Sequence, residues 1–281
     1  MGTDKMHADR SSFEAYLKFL SESTNDGTPK VLETRHALSL HFDALATQSF
    51  MSRKDPDKLV LGYTRTMMAF LLLHPTPARI SMIGLGGGSL AKYCHRHLAS
   101  TKVVAIEINP AVIALREQFQ IPPDDERLEV VCADGAEYVA NQNASPDVIL
   151  VDGFLADGMP EQLGTADFYA ACYARLADNG VLVANFLESD PDIPLYLEEV
   201  GTAFGKSMSL SLAEDSANYT LFAWKGPNKL PSLDALLARA RVLQTAHPLN
   251  LTAAARRLKR GERVASDRAS WPKPPRHQIQ Y

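Results

Sequence analysis

An α/β fold built on a mostly parallel sheet is predicted by three observations. Between residues 79 and 185, five short apolar runs alternate with stretches of helical character. The first run ends on a glycine cluster, Gly84 to Gly88, and the second ends on an acid, Glu107. Two further apolar runs, Met208–Leu212 and 219–224, flank a polar turn and read as an antiparallel hairpin closing the sheet. Strictly alternating strand and helix give a parallel sheet covered on both faces. A plain dinucleotide fold would end in more parallel strands, so the terminal hairpin narrows the choice.

The elements follow in order. Residues 13–20 form a short amphipathic segment with Phe13, Tyr16, Leu17 and Leu20 on one face. Residues 31–34 and 37–42 alternate and read as a β-hairpin, with residues 48–51 as an added edge. Residues 1–55 thus read as a small β-rich subdomain. Asp55-Pro56-Asp57 opens a helix by capping logic, and His74-Pro75-Thr76-Pro77 stops it after Leu73. The central domain, residues 56–227, has parallel strands at Arg79–Ile83, 103–106, Leu128–Cys132, Val148–Val151 and 181–185. Its helices are expected at 89–98, 110–119, 135–140, 166–176 and 195–204. In residues 228–281 a helix is predicted over 231–246, a brief one over 252–258, and then a basic, partly disordered tail.

Composition sets limits. The chain has 281 residues, 46% of them apolar and 22% charged, as in ordinary globular proteins. The longest apolar run, 67–73, is too short to span a bilayer. Three widely spaced cysteines give neither a disulfide framework nor a metal pattern, and they read as reduced core thiols in a cytoplasmic protein. His95 and His97 stand at i, i+2 and point to different faces of a helix, so no metal site is expected there. The net charge of −4 hides a basic end: eight Lys or Arg against two acids between Arg256 and Arg276. That end reads as solvated rather than as a nucleic-acid contact, and no base-stacking motif accompanies it.

The chemistry is expected at the carboxyl ends of the parallel strands. Gly84, Gly86, Gly87 and Gly88 let the chain turn sharply and approach a ligand. Glu107, about 20 residues on, is placed to accept from ribose hydroxyls. Asp134 with Gly135 ends the third strand and can accept from an adenine amino group, although a helix cap is the plain alternative. Asp152 ends the fourth strand, where the reactive end of a cofactor would lie, and Asn185 ends the fifth. Two acids for one adenosine, together with the hairpin, favour an S-adenosylmethionine-type ligand over NAD.

These segments resemble the spermidine synthases and their bacterial relatives, on the class I methyltransferase fold with its seven-stranded sheet. The likeness spans about residues 30–225 and rests on PDKLVLGYTRTMM, MIGLGGGSL, VVAIEINP, CADGAEYV, PDVILVDGF and FYAACYARLADNGVLVANF. The resemblance implies that Gln48 and Tyr63 border a substrate pocket, that Glu107 binds ribose and that Asp134 and Gly135 flank adenine. It makes Asp152 the acid that orients and deprotonates an attacking amine. The co-substrate would be S-adenosylmethionine or its decarboxylated form, without a metal. The acceptor would be a small amine, with no membrane or nucleic acid involved and a homodimer as a candidate assembly.

Three departures bear on the reaction. The family loop carries an acid where this chain has Gly87, and that acid grips the amine of decarboxylated S-adenosylmethionine. The family's Tyr-His-Glu is here Tyr63-Thr64-Arg65. The second acid of its Asp-x-x-Asp pair falls on Leu155, with Asp157 as the nearby substitute. Losing the loop acid removes repulsion against an α-carboxylate, and Arg65 could pair with that carboxylate. A preference for intact S-adenosylmethionine, and so methyl transfer, is therefore expected. The alternatives are aminopropyl transfer giving methylthioadenosine, internal sulfonium chemistry, and a binding protein without turnover. An NAD oxidoreductase fits poorly, because Ser89 stands where that fingerprint needs Gly or Ala.

Overall fold

The computed structural model describes residues 16, 17, 19, 27–43, 47–154, 158–214, 218–226 and 229–273. An antiparallel three-stranded sheet comes first: β1 (Lys30–Glu33), β2 (Ala37–His41) and β3 (Thr47–Ser52), in that spatial order. The main sheet contains β4 (Arg79–Ile83), β5 (Lys102–Glu107), β6 (Leu128–Cys132), β7 (Val148–Val151), β8 (Val181–Leu187), β9 (Met208–Leu212) and β10 (Asn218–Trp224). Its order is β6-β5-β4-β7-β8-β10-β9, with β4 to β8 parallel and β10 antiparallel to both neighbours. This is the mostly parallel seven-stranded sheet with a closing hairpin that the sequence predicts.

Strand burial follows from the alternation of side chains. Ile80 and Met82 enter one core cluster, whereas Ile83 enters the other. The first cluster also takes the N-terminal sheet through Leu38, Leu40 and Met51, together with helices α1 (Gly62–Met67), α2 (Ser89–His97), α7 (Leu233–Leu243) and α8 (Leu251–Ser266). The second is filled from α4 (Gly135–Asn141), α5 (Ala166–Arg175) and α6 (Ile193–Phe204). A short α3 (Pro110–Ile113) follows β5.

Cys94 and Cys172 are buried as expected, but Cys132, at the end of β6, is exposed rather than a core thiol, and several boundaries also differ from the sequence expectation. The helix predicted from Asp55 begins only at Gly62, because the Asp55 carbonyl closes a turn with the Lys58 N–H and the chain is still extended at Leu61. Its end tightens into a 3₁₀ segment, Met68–Leu72. The predicted 110–119 helix keeps one α turn and then irregular turns to Phe119. The C-terminal helix is far longer than 252–258. Ala254, Ala255, Leu258, Gly261 and Ala265 are buried on one face of α8, and the basic residues lie mainly on the other. Gly261 sits where a Cβ would lie 2.4 Å from the Leu210 carbonyl oxygen, so the helix lies directly on β9. Most of the 13–20 segment lies outside the described residues. Of it, Phe19 is buried beside the His41 ring, whereas Tyr16 and Leu17, assigned to the apolar face, are exposed.

Among the described residues, no helix is long and apolar enough to cross a membrane.

Candidate active site

The strand order reverses between β5-β4 and β4-β7, and ligands in open α/β sheets bind in the crevice at such a point. A cavity lies there, walled by the loops after β4, β5, β6 and β7 and closed on one side by β3 and α1. The β4 turn depends on Gly84, at φ 92°, where a Cβ would lie 2.2 Å from the Asp152 carbonyl oxygen. Only glycine lets the tips of β4 and β7 come this close.

Three acids line the cavity. Glu107 is buried, and both its oxygens are fixed by backbone. Leu85 N–H donates to Oε2 at 3.0 Å and Asn109 N–H to Oε1 at 2.9 Å. An ionised carboxylate offers about four lone-pair sites, so each oxygen can still accept from a diol. Asp134 caps α4, its Oδ1 accepting from Ala136 and Glu137 N–H at 2.8 and 3.0 Å. The plain capping role therefore holds, and it coexists with a place in the wall. Its Oδ2 accepts from Gln162 Nε2 at 3.2 Å, and Gln162 also lines the cavity. Gly135 and Ile108 complete this end, the latter 46% exposed as an apolar shelf at the rim.

Asp152 stands at the other end. The Asn185 amide Nδ2 donates to its Oδ1 at 2.9 Å. Burial pushes its carboxyl up to about 6, and hydrogen bonds from Asn185 and Tyr63 hold it from rising further. A carboxylate poised near neutrality takes a proton from an amine more readily than one held near 4. Around it stand Gln48 and Ser49 from β3, Tyr63 and Thr64 from α1, and Asn218 at the start of β10. The Tyr63 hydroxyl also reaches the Gln48 carbonyl oxygen at 3.5 Å.

The structure thus gathers Gln48, Tyr63, Gly84, Gly86, Glu107, Asp134, Gly135 and Asp152 around one cavity. It does not bring the remaining candidates there. Gly87 and Gly88 lie behind the wall: a Cβ on Gly87 would sit 2.7 Å from Ser49 Oγ and 2.8 Å from Phe119 Cδ1, and Gly88 packs against Ile121. Arg65 needs correcting as a pocket residue. One helical step beyond Thr64, it turns out of the cavity, where Nε donates to Glu214 Oε2 at 2.6 Å and Nη1 to the carbonyls of Leu59 and Val60. Asp157 lies outside the described residues. Ser49, Gln162 and Asn218 escaped the sequence reading, since each reaches the cavity only through tertiary packing and no local motif marks it.

Comparison with known proteins decides the family. The spermine/spermidine synthase domain model matches residues 61–206. A polyamine aminopropyltransferase from Chromobacterium violaceum is 38% identical over 217 residues, 76% of this chain and 83% of that protein. The chain belongs to the spermine/spermidine synthase family. It is accordingly an enzyme of the S-adenosylmethionine-type alkyl transferases. In solved structures the fold recurs in spermidine synthase from Thermotoga maritima, with TM-score 0.64 and 23% identity over 82% of this chain and 79% of that one. It recurs also in human methyltransferase-like protein 13, with TM-score 0.56 and 23% identity over 72% of this chain and 93% of that one. The spermidine synthase likeness and the methyltransferase-like fold expected from the sequence are both borne out.

Proposed function

We propose that this family member transfers an aminopropyl group from decarboxylated S-adenosylmethionine to a small amine. The observation that carries the reading is the buried Asp152 carboxylate, hydrogen-bonded by Asn185 in the cavity that Glu107 also lines. Glu107 would hold the ribose diol, and Asp134, Gly135, Gln162 and Ile108 would border the base. When bound, the co-substrate supplies a carbon activated by a sulfonium and departs as the neutral thioether methylthioadenosine. Asp152 receives the proton that the attacking amine loses as its nitrogen forms the new bond to carbon. Asn185 fixes the carboxylate's direction. Tyr63, Gln48 and Asn218 surround the amine with hydroxyl and amide groups, so positioning does most of the work. A cytoplasmic location belongs to the same proposal.

The chemistry named for the aligned relative supports aminopropyl transfer over the methyl transfer expected from the sequence. That expectation leaned on Arg65 and Gly87, and Arg65 is engaged by Glu214. Gly87 lies behind the cavity wall, against Ser49 and Phe119, and lends the methyl reading little support. Incubation with each co-substrate against putrescine and a panel of amines, read by mass spectrometry, separates the two. Methylthioadenosine from the decarboxylated form, together with an alkylated amine, is the expected result. Adenosylhomocysteine from intact S-adenosylmethionine would overturn it, and methylthioadenosine without an amine product would point to internal sulfonium chemistry.

A further inference from the structure

A row of buried polar side chains runs across the main sheet away from Asp152. Asn185 on β8 is the register partner of Thr220 on β10, and Thr220 is the partner of Ser211 on β9. All three face the first core cluster, because Val183 and Phe222, two residues along on β8 and β10, belong to it. Ser209, two along on β9, donates to the Leu258 carbonyl of α8 on the same side. Asn185 is 2% exposed, Thr220 0% and Ser211 3%. Asn185 Oδ1, Thr220 Oγ1 and Ser211 Oγ each lack a hydrogen-bond partner among the described residues.

Buried polar oxygens are seldom left without a partner, and three in successive register positions ask for a shared account. Directly opposed Cβ atoms in an antiparallel pair lie about 4.5–5.5 Å apart. Side-chain oxygens on such neighbours can therefore meet by a small rotation or through one bridging water. Hydroxyls both donate and accept, whereas an amide oxygen only accepts. The row consequently has one sensible polarity: Ser211 O–H toward Thr220, Thr220 O–H toward Asn185 Oδ1, and Asn185 Nδ2 toward Asp152. If the amide turned over, its oxygen would face the carboxylate.

We propose that Thr220, backed by Ser211, is a positioning residue that holds the Asn185 amide with its donor toward Asp152, and so sets the pH at which Asp152 can take a proton. The proposal rests on reading Asp152 as the proton acceptor. The other groups that bear on Asp152 are few. Tyr63 approaches from α1. Glu107 and Asp134 line the same cavity from the end of β5 and the cap of α4. Beyond the outer end of the row, Glu214 is paired with Arg65 and Arg257. The β4 tip presents only the backbone of Gly84.

Thr220→Val keeps the shape and removes the hydroxyl, Thr220→Ser restores it, and Ser211→Ala removes the outer member. The Asp152 carboxyl is followed by carbon-13 NMR titration, and kcat/KM for the amine is measured against pH. In Thr220→Val the Asp152 midpoint should rise by about half to one pH unit. The acid limb of the rate profile should move with it while the alkaline plateau stays. Thr220→Ser should return both to their starting positions, and Ser211→Ala should give a smaller rise. An unmoved Asp152 titration in Thr220→Val overturns the proposal. So does a rate loss equal at every pH that Thr220→Ser leaves in place. The titration needs no turnover, so a protein inactive on every amine would sink the proposed function and leave this test standing.

Discussion

The two ends of the cavity are built differently. At the end proposed for the nucleoside, Gly84, Gly86, Glu107 and Asp134 sit at the tips of consecutive parallel strands, and backbone N–H groups hold both acids. At the end proposed for the reaction, Gln48, Tyr63, Asp152, Asn185 and Asn218 come from five separate segments, and the one acid is held by side chains under burial. Backbone tethering fixes the direction of the two acids as acceptors. Long-range assembly under burial gives an acid whose proton affinity is displaced. The first end is suited to gripping and the second to chemistry.

Asp152→Asn breaks the second end alone. It should lower kcat by about 10²–10⁴-fold, the range for removing a general base, with cofactor affinity by calorimetry unchanged. Equal losses in both quantities would erase the division of labour. The same substitution has a stability signature. The folded Asp152 titrates at about 6 against an ordinary value of 3.8. A raised carboxyl favours the folded state fully below about pH 4 and loses that advantage as pH rises through about 6, by at most about 3 kcal/mol. Asp152→Asn should therefore melt higher than the parent at about pH 8, and the gap should close toward pH 4.

Glu107→Gln tests the gripping end. Its amide cannot replace both carboxylate oxygens, so the N–H of Leu85 or Asn109 loses its acceptor. Hydrogen bonds to a charged group are worth about 1.5–3 kcal/mol, which corresponds to a roughly ten- to hundredfold weaker Kd for the nucleoside co-substrate. The melting temperature should also fall, and kcat at saturation should hold. A normal Kd would remove Glu107 from the binding surface.

Arg65→Gln should do least. The ion pair with Glu214 is partly exposed, at 30% and 19% for the two side chains, so that pair contributes about 1 kcal/mol or less. Both Kd and kcat should match the parent. A selective loss with intact S-adenosylmethionine would return Arg65 to the site.

The same contrast explains what the sequence discloses. The β4 tip, the glycine loop and Glu107 lie within one strand-turn-helix-strand unit, so spacing alone marks them. The parallel core and closing hairpin are equally legible, since each strand is a short apolar run with clear punctuation. Arg65 and Gly87 show where spacing fails. Both neighbour pocket residues in sequence, yet helical rotation carries Arg65 to Glu214, and packing on Phe119 seals Gly87 behind the wall. Asn218 and Thr220 were invisible for the opposite reason: their partners, Leu187 and Asn185, lie more than thirty residues upstream. The length of α8 is hard to read because four of its six buried residues are alanine or glycine, which give little apolar signal.

The N-terminal sheet has a consequence of its own. It supplies Leu40, Phe42, Thr47, Gln48 and Ser49 to the cavity wall, so part of the site is a small three-stranded unit at the side of the main sheet. Small peripheral sheets open locally at lower free energy than a central parallel core. Any ligand seated against them stabilises the closed form by mass action. Occupancy of this enzyme should thus be readable as slowed amide exchange in β2 and β3, with the interior of β4 and β7 already protected.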